Sequence, residues 1–410
     1  MVDLGVNDFK GASPNLSHKH KGYCMPPLRR NKMVKELLLM NHQPWTSPED
    51  RSIMEQTSGF ARAETVISHS SPHTQRNLAH FLPPVVHIFP KQPPQYLDFQ
   101  QKTPLSTEAR MSLFHWQIQA EAQRIEEISP ELLNMHDSDG DTYLHIAVAH
   151  GRRALAYVLA AKMAGYGTLN KKERNGQTAL QIATVTNQPL IAHDLIAHGA
   201  SINTGDSWGR SPLHVCAEKG HCLTLQTIWR TALQTGQVID VDMFNYEGLT
   251  PLHTAILSHN AVIKEIRSLE NPCLYMAQKL VQKKHMYLDC IKTLLHMGAS
   301  LTTTDLKSGR TCLYMASERA NVELLKEFLD QPLSVSIINN KTFSGNTALH
   351  VVCSLQNCKG QVEALKLLMR HGADPGIRNL ENDLPLHLVP EGSIGGKLGQ
   401  ILKGKLLKLK

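Results

Sequence analysis

The sequence predicts an all-α solenoid, a stack of about seven helix-turn-helix units. Three observations lead there. A short signature recurs at a nearly constant interval, the segments between copies carry apolar stripes at helical spacing, and aromatic residues make up only 5% against 41% hydrophobic residues. That balance suits packed helices of Leu, Ala and Ile better than a sandwich of strands.

The signature is a turn, then Thr or Ser, then x-Leu-His. It stands at Thr142–His145, Ser211–His214, Thr250–His253 and Thr347–His350, with weaker copies at Thr178–Gln181, Thr311–Tyr314 and Leu384–His387. Successive copies are 36, 33, 39, 61, 36 and 37 residues apart. All but one lie near the ankyrin-repeat period of about 33 residues. The repeats start near 137, 173, 206, 245, 306, 342 and 379 and fill 135–396.

Each element of the signature has a mechanical reason. The hydroxyl of Thr142 and its counterparts caps the first helix. Pro212 and Pro251 take the first helical position, where a missing N–H costs nothing. The Leu points into the core. His145, His214, His253 and His350 are structural, each bridging its own Thr or Ser to the backbone of the adjacent turn. Small residues follow two positions later, such as Ala147 and Cys216, and allow close helix packing. A turn glycine two residues before each Thr supplies positive φ, with Asn382 in its place in the last copy.

Second helices such as Gln361–His371 end in Gly-Ala, a helix C-cap. Leu365, Leu368 and Met369 fall on one stripe that a neighbouring repeat must cover. The 61-residue interval implies an insertion of roughly 28 residues near 266–284, either a loop or a lengthened helix pair. Residues 111–133, with Trp116, Ile118, Ile125 and Ile128, read as a capping helix, and 397–410 as a basic tail or second capping helix.

The first 108 residues are predicted to be mostly disordered, because 12 of the 21 prolines lie in the first 110 positions. Met1–Lys10 contains Asp3 and Asp8 and no apolar run, which reads against a secretory signal. No stretch approaches the ~20 apolar residues that span a bilayer, so no membrane partner is expected. Eight cysteines without a Cys-x-x-Cys pair read as reduced thiols of an intracellular protein.

The net charge of +7 sits at the ends. There are 13 basic and 9 acidic residues in 1–110, 25 and 27 in 111–396, and five Lys without an acid in 397–410. A DNA-reading array would carry a basic stripe along its length, so contact with DNA is expected only indirectly, through a partner.

No phosphate-cradling glycine loop, nucleophile elbow or His-Glu-x-x-His motif occurs, and neither an enzyme nor a cofactor is expected. The group His214, Cys216, His221 and Cys222 has metal-ligand types at a spacing that matches no zinc pattern. Trp208 stands at a turn tip beside Arg210, and Tyr246 is read as occupying the matching place one repeat later. Exposed aromatics beside Arg favour a binding hot spot; the alternative is that both rings lie flat on neighbouring turns. Arg29–Leu39 mixes basic residues with an apolar helix-like stripe, and reads equally as a docking helix or as a chance run.

Longer stretches resemble a particular family. Leu113–Gln117, Asp137–Leu155 (DSDGDTYLHIAVAHGRRAL), Trp208–His221 (WGRSPLHVCAEKGH), Leu367–Pro390 and Ile401–Lys405 are similar to the atypical nuclear inhibitors of NF-kappa-B, in the IκB family. The resemblance covers about 111–405 and includes turn-tip residues that the fold does not dictate. It implies a nucleus-located regulator of transcription that binds Rel-homology NF-kappa-B dimers through its ankyrin groove. Arg152 and Arg153, within the second stretch, join Trp208, Arg210 and Tyr246 on the expected partner surface. One member of the family carries a short motif of octamer-coactivator type, which Val34-Lys35-Glu36-Leu37-Leu38, near 29–40, looks like; octamer-binding transcription factors are therefore a second expected partner. The aromatic-Gln-Gly-Val run that precedes it in the family is missing, and Thr311–Tyr314 departs from the His signature.

Two other readings stand beside this one. A cytoplasmic inhibitor would carry an acidic tail and an Asp-Ser-Gly-x-x-Ser phosphodegron, and the sequence has neither. A generic scaffold or ligase adaptor would need a recruiting box after the array, where about 15 residues remain.

Overall fold

The computed structural model describes residues 112–406 apart from 270–272, 333 and 357. The predicted irregular region 1–108, its motif Val34–Leu38 and the last four residues lie outside the described residues. Those from 117 onward belong to one compact unit, while a second unit, 38–116, enters the described residues only at 112–116.

Two short helices lead in, α1 (Leu113–Arg124) and α2 (Pro130–Leu133). Helix pairs follow: α3 (Tyr143–Ala149) with α4 (Arg153–Gly165), α5 (Ala179–Val185) with α6 (Pro189–Ala197), and α7 (Pro212–Lys219) with α8 (Cys222–Thr235). Next come α9 (Pro251–Ser268) with α10 (Leu274–His296), then α11 (Cys312–Ser317) with α12 (Val322–Leu329). A short α13 (Ser334–Ile337) precedes α14 (Ala348–Ser354) and α15 (Gln361–Arg370), and α16 (Ser393–Leu406) closes the described chain. Among the described residues there is no strand.

The first helices of the pairs form one layer, α3 on α5, α5 on α7, and so on to α14, and the second helices form the other. This is what the small residues permit: Ala147, Ala183, Cys216, Ala255, Ala316 and Val352 are all fully buried between layers. Each first helix begins at its Thr or Ser, as at Ser211, Thr250 and Thr311, where the hydroxyl accepts the N–H three residues on.

The histidines lock one repeat to the next. In the first copy, Thr142 N–H donates to His145 Nδ1 at 3.1 Å, and Nε2 meets the Lys171 carbonyl at 3.1 Å. The same bridge runs from His214 to the Leu249 carbonyl, from His253 to Thr303 and from His350 to Asp383. An Nδ1 that accepts and an Nε2 that donates fix the neutral Nε2–H form. Burial agrees, holding His145 and His253 down to about 4. Gln181 reproduces the bridge with an amide, accepting from Thr178 N–H and donating to the carbonyls of Thr204 and Arg210.

The last copy differs from its predecessors. Pro385–Leu388 is a single 3-10 turn, and His387 is half-exposed against Asp383. Leu384 has no hydroxyl to cap an α-helix, and Pro390 follows directly. The end is closed by α16, whose Leu398 and Leu402 are fully buried, while Lys397 and Lys403 face outward.

The long interval is taken up by helix. α9 runs for 18 residues and α10 for 23, against 8 for α7 and 14 for α8. The His253 bridge still closes onto Thr303 across the added length.

Candidate functional site

Ahead of each first helix the chain makes a tight turn at one edge of the stack, forming a row of fingers. An Asp or Asn organises several of the turns: Asp206 Oδ1 accepts the N–H of Trp208 and of Arg210, each at 2.9 Å, and Asn245 Oδ1 accepts those of Glu247 and Leu249 at 3.0 Å. Neighbouring fingers are pinned by single backbone bonds. Tyr246 N–H donates to the Trp208 carbonyl at 3.0 Å, Leu306 to Gly248 at 3.1 Å, Phe343 to Ser308 at 3.0 Å and Leu380 to Ser344 at 3.1 Å.

The donor residue of each such bond crosses the glycine face of the preceding finger. That holds Tyr246, Leu306, Phe343 and Leu380 in file, and they are 77%, 59%, 64% and 78% exposed. Trp208, 51% exposed, stands beside the first of them. An apolar ridge thus runs along five consecutive fingers, the kind of contiguous exposed surface that marks an interaction site.

Trp208, Arg210 and Tyr246 are brought together, but in a different register from the sequence reading. Trp208 directly precedes Gly209, whereas Tyr246 lies two residues before Gly248 and so corresponds to Ser207. Binding and packing also prove compatible, because the Tyr246 ring covers Gly209 on one face and stays open on the other.

Arg210 is held from within. Its guanidinium pairs with the buried Asp206 at 2.8 Å and with Glu218 at 2.8 Å, and it lies 4.8 Å from the centre of the Trp208 ring. Arg310 repeats this with Asp305 and Glu318. Its first task is therefore to stiffen the finger under Trp208.

Arg152 and Arg153 lie elsewhere, beyond the far end of α3 and away from the fingers. Arg152 reaches Glu121 at 3.3 Å, and Arg153 grips the buried Asp194 of the next repeat in two bonds of 2.7 and 3.0 Å. Both guanidinium groups are thus engaged within the array, while their side chains stay 33% and 31% exposed.

Leu306, Phe343 and Leu380 were missed by the sequence reading. The signal was present, since each follows the first residue of its turn by one position, in Asp305-Leu306, Thr342-Phe343 and Asn379-Leu380. Aligning the copies on the turn start would have found them.

His214 and His221 have other partners, the carbonyls of Leu249 and Thr184, and no group of three or more metal-binding side chains stands together among the described residues. No helix of the described residues is long and apolar enough to cross a membrane.

Paired helices, a finger edge and a histidine-locked core define an ankyrin-repeat array, a class built to present a surface to another protein. The ankyrin-repeats family matches at 114–206, 190–272 and 275–379. NF-kappa-B inhibitor zeta of Homo sapiens is 50% identical over 303 residues, covering 74% of this chain and 42% of the relative. NF-kappa-B inhibitor delta of Mus musculus is 37% identical over 277 residues, 67% of this chain and 81% of the relative. The crystal structure of the ankyrin repeat domain of Bcl-3, described as a unique member of the IkappaB protein family, superposes with a TM-score of 0.50 at 27% identity, over 65% of this chain and 100% of that one. The chain belongs to the NF-kappa-B inhibitor family of ankyrin-repeat proteins. It spans about two fifths of the length of the zeta relatives.

Proposed function

We propose that this chain binds Rel-homology NF-kappa-B dimers along its finger edge and ankyrin groove, and regulates transcription in the nucleus as a non-enzymatic adaptor. The observation that carries the reading is the ridge from Trp208 through Tyr246 to Leu380, fixed finger by finger on a chain of this family. Aromatic anchors on a stiff support lose little entropy on binding, and they dominate interface energies. Octamer-binding factors would dock at Val34–Leu38, which lies outside the described residues.

On this reading the chain joins its partner on DNA and does not strip it off. A displacing inhibitor needs negative charge where phosphates would lie, and here the end of the array presents Lys397 and Lys403. A gel-shift titration of a Rel-homology dimer on a κB-site duplex tests it. A slower ternary band is expected. Release of free duplex as the chain is added would instead identify a displacing inhibitor, and an unchanged binary band would remove the partner.

A further inference from the structure

α9 is ten residues longer than α7, and the addition lies at its far end, because the helix starts at the finger turn capped by Thr250. α10 returns against it. The pair therefore extends as an arm about 15 Å beyond the neighbouring first helices, on the edge opposite the finger tips.

The arm is folded and fastened. Val262, Leu280 and Tyr287 form a small buried core with Ile266 packed against it. Arg267 donates to the carbonyls of Arg319 and Ala320 in the following repeat, and Asn260 donates to that of Met315 at 2.7 Å.

Its outer surface carries apolar and cationic side chains together. Leu274 and Tyr275 are 74% and 71% exposed, with Met276 and Val281 beside them. Lys264, Lys279, Lys283 and Arg319 are exposed, and none has a carboxylate partner among the described residues. Some cations on the second helices do pair with carboxylates, Lys284 with Glu323, Lys292 with Glu327 and Lys326 with Glu363. At the root of the arm, Lys264, Arg267, Arg319 and Leu355 line a cleft of about 250 Å³ together with Glu318, whose carboxylate is paired with Arg310.

We infer that this arm is a second docking surface, separate from the finger ridge, for an acidic peptide segment that carries leucine or aromatic side chains. Unpaired lysines select negative charge. Phosphate alone would gain nothing from Leu274, Tyr275 and Val281, whose burial rewards apolar side chains. A peptide that alternates the two chemistries satisfies both, with the cleft receiving one of its side chains.

The test uses the full chain and a fluorescein-labelled synthetic peptide of about 20 residues alternating Asp or Glu with Leu and Phe. The controls are an equally charged peptide without apolar residues and a duplex DNA of similar length. Saturable anisotropy change is expected, weakened at least about tenfold by Lys279→Glu with Lys283→Glu, and equally by Leu274→Ser with Tyr275→Ser. Trp208→Ala should leave it unchanged, so the result is independent of Rel-dimer binding. Any of four outcomes would overturn the assignment: insensitivity to both arm variants, equal binding of the apolar-free peptide, binding of duplex that responds only to the charge reversals, or self-association of the chain that Leu274→Ser with Tyr275→Ser abolishes in sedimentation.

Discussion

The Tyr246 ring lies against the bare face of Gly209: a Cβ placed on that glycine would stand 2.6 Å from Cδ1 of the ring and 3.0 Å from the Tyr246 nitrogen. Gly209 also has φ of +73°, which L side chains rarely adopt. Gly209→Ala therefore carries both backbone strain and a clash, and should destabilise the array by about 2 kcal/mol in urea unfolding. Combining it with Tyr246→Ala should recover only part of the loss, because the φ penalty and the close backbone nitrogen remain. Full recovery would show that the ring alone demands the glycine.

Trp208→Ala should weaken binding to a Rel-homology dimer by about 2 kcal/mol, roughly thirtyfold in Kd, with helicity unchanged. Trp208 is the clean probe of the ridge, since Arg210→Ala would also take the guanidinium from Oδ2 of the buried Asp206 and leave only the backbone bonds to Oδ1. Phe343→Ser tests whether the ridge is engaged over its length. Calorimetric titration giving wild-type affinity for both variants would remove the finger edge from the interface.

The repeat number, the Thr and His positions and the turn glycines were legible because each follows from a local rule with one solution, as when Thr142 must cap and His145 must bridge. The ridge was only half legible. Trp208 and Tyr246 stood out as aromatics at turns, while Leu306 and Leu380 read as ordinary apolar residues, since exposure depends on which finger lies alongside. The clamp between Arg153 and Asp194 links residues 41 positions apart, a pairing that depends on how the second helices stack. The arm was placed but its form was open, because apolar spacing in 266–284 fits both a helix and a loop over so short a run.

Buried neutral histidines make the array sensitive to acid. His253 is held down to about 4 by burial, below the usual value of 6.5. Between those two values the unfolded chain binds a proton that the folded chain refuses, so stability falls as pH drops through that window and falls no further below it. The full effect is on the order of 3 kcal/mol for this one group. His253→Gln should keep the bridge, as Gln181 does in its own repeat, and remove the proton. The drop in melting temperature from about pH 7 to about pH 5 should shrink in the variant. An unchanged drop would place the acid sensitivity in other groups.

Arg153 and Arg152 are adjacent, yet their removal should have unequal effects. Arg153→Ala leaves the Asp194 carboxylate buried with only the half-exposed His193 at 3.1 Å, and should cost about 2 kcal/mol of stability. Arg152→Ala breaks a pair near the surface and should cost less than about 1 kcal/mol. Equal losses by chemical denaturation would show that Asp194 finds another partner.

On the proposed reading the closing helix α16 has two roles, and they can be separated by face. Leu398 and Leu402 of α16 are buried, so Leu402→Asp should lower the melting temperature and expose the last repeat to protease. Lys397 and Lys403 lie on the exposed side, so Lys397→Glu with Lys403→Glu should leave the melt unchanged. If these lysines approach phosphate in a ternary complex, each contact releases condensed counterion, and the logarithm of affinity falls with the logarithm of salt by roughly 0.9 per contact. The double charge reversal should then flatten the salt dependence of ternary-complex formation by about two contacts while leaving binding to the dimer without DNA intact. Measuring both affinities over a salt series separates the cases. A parallel loss with and without DNA would assign the lysines to the protein interface, and no change in either would leave them as the solvated face of a cap.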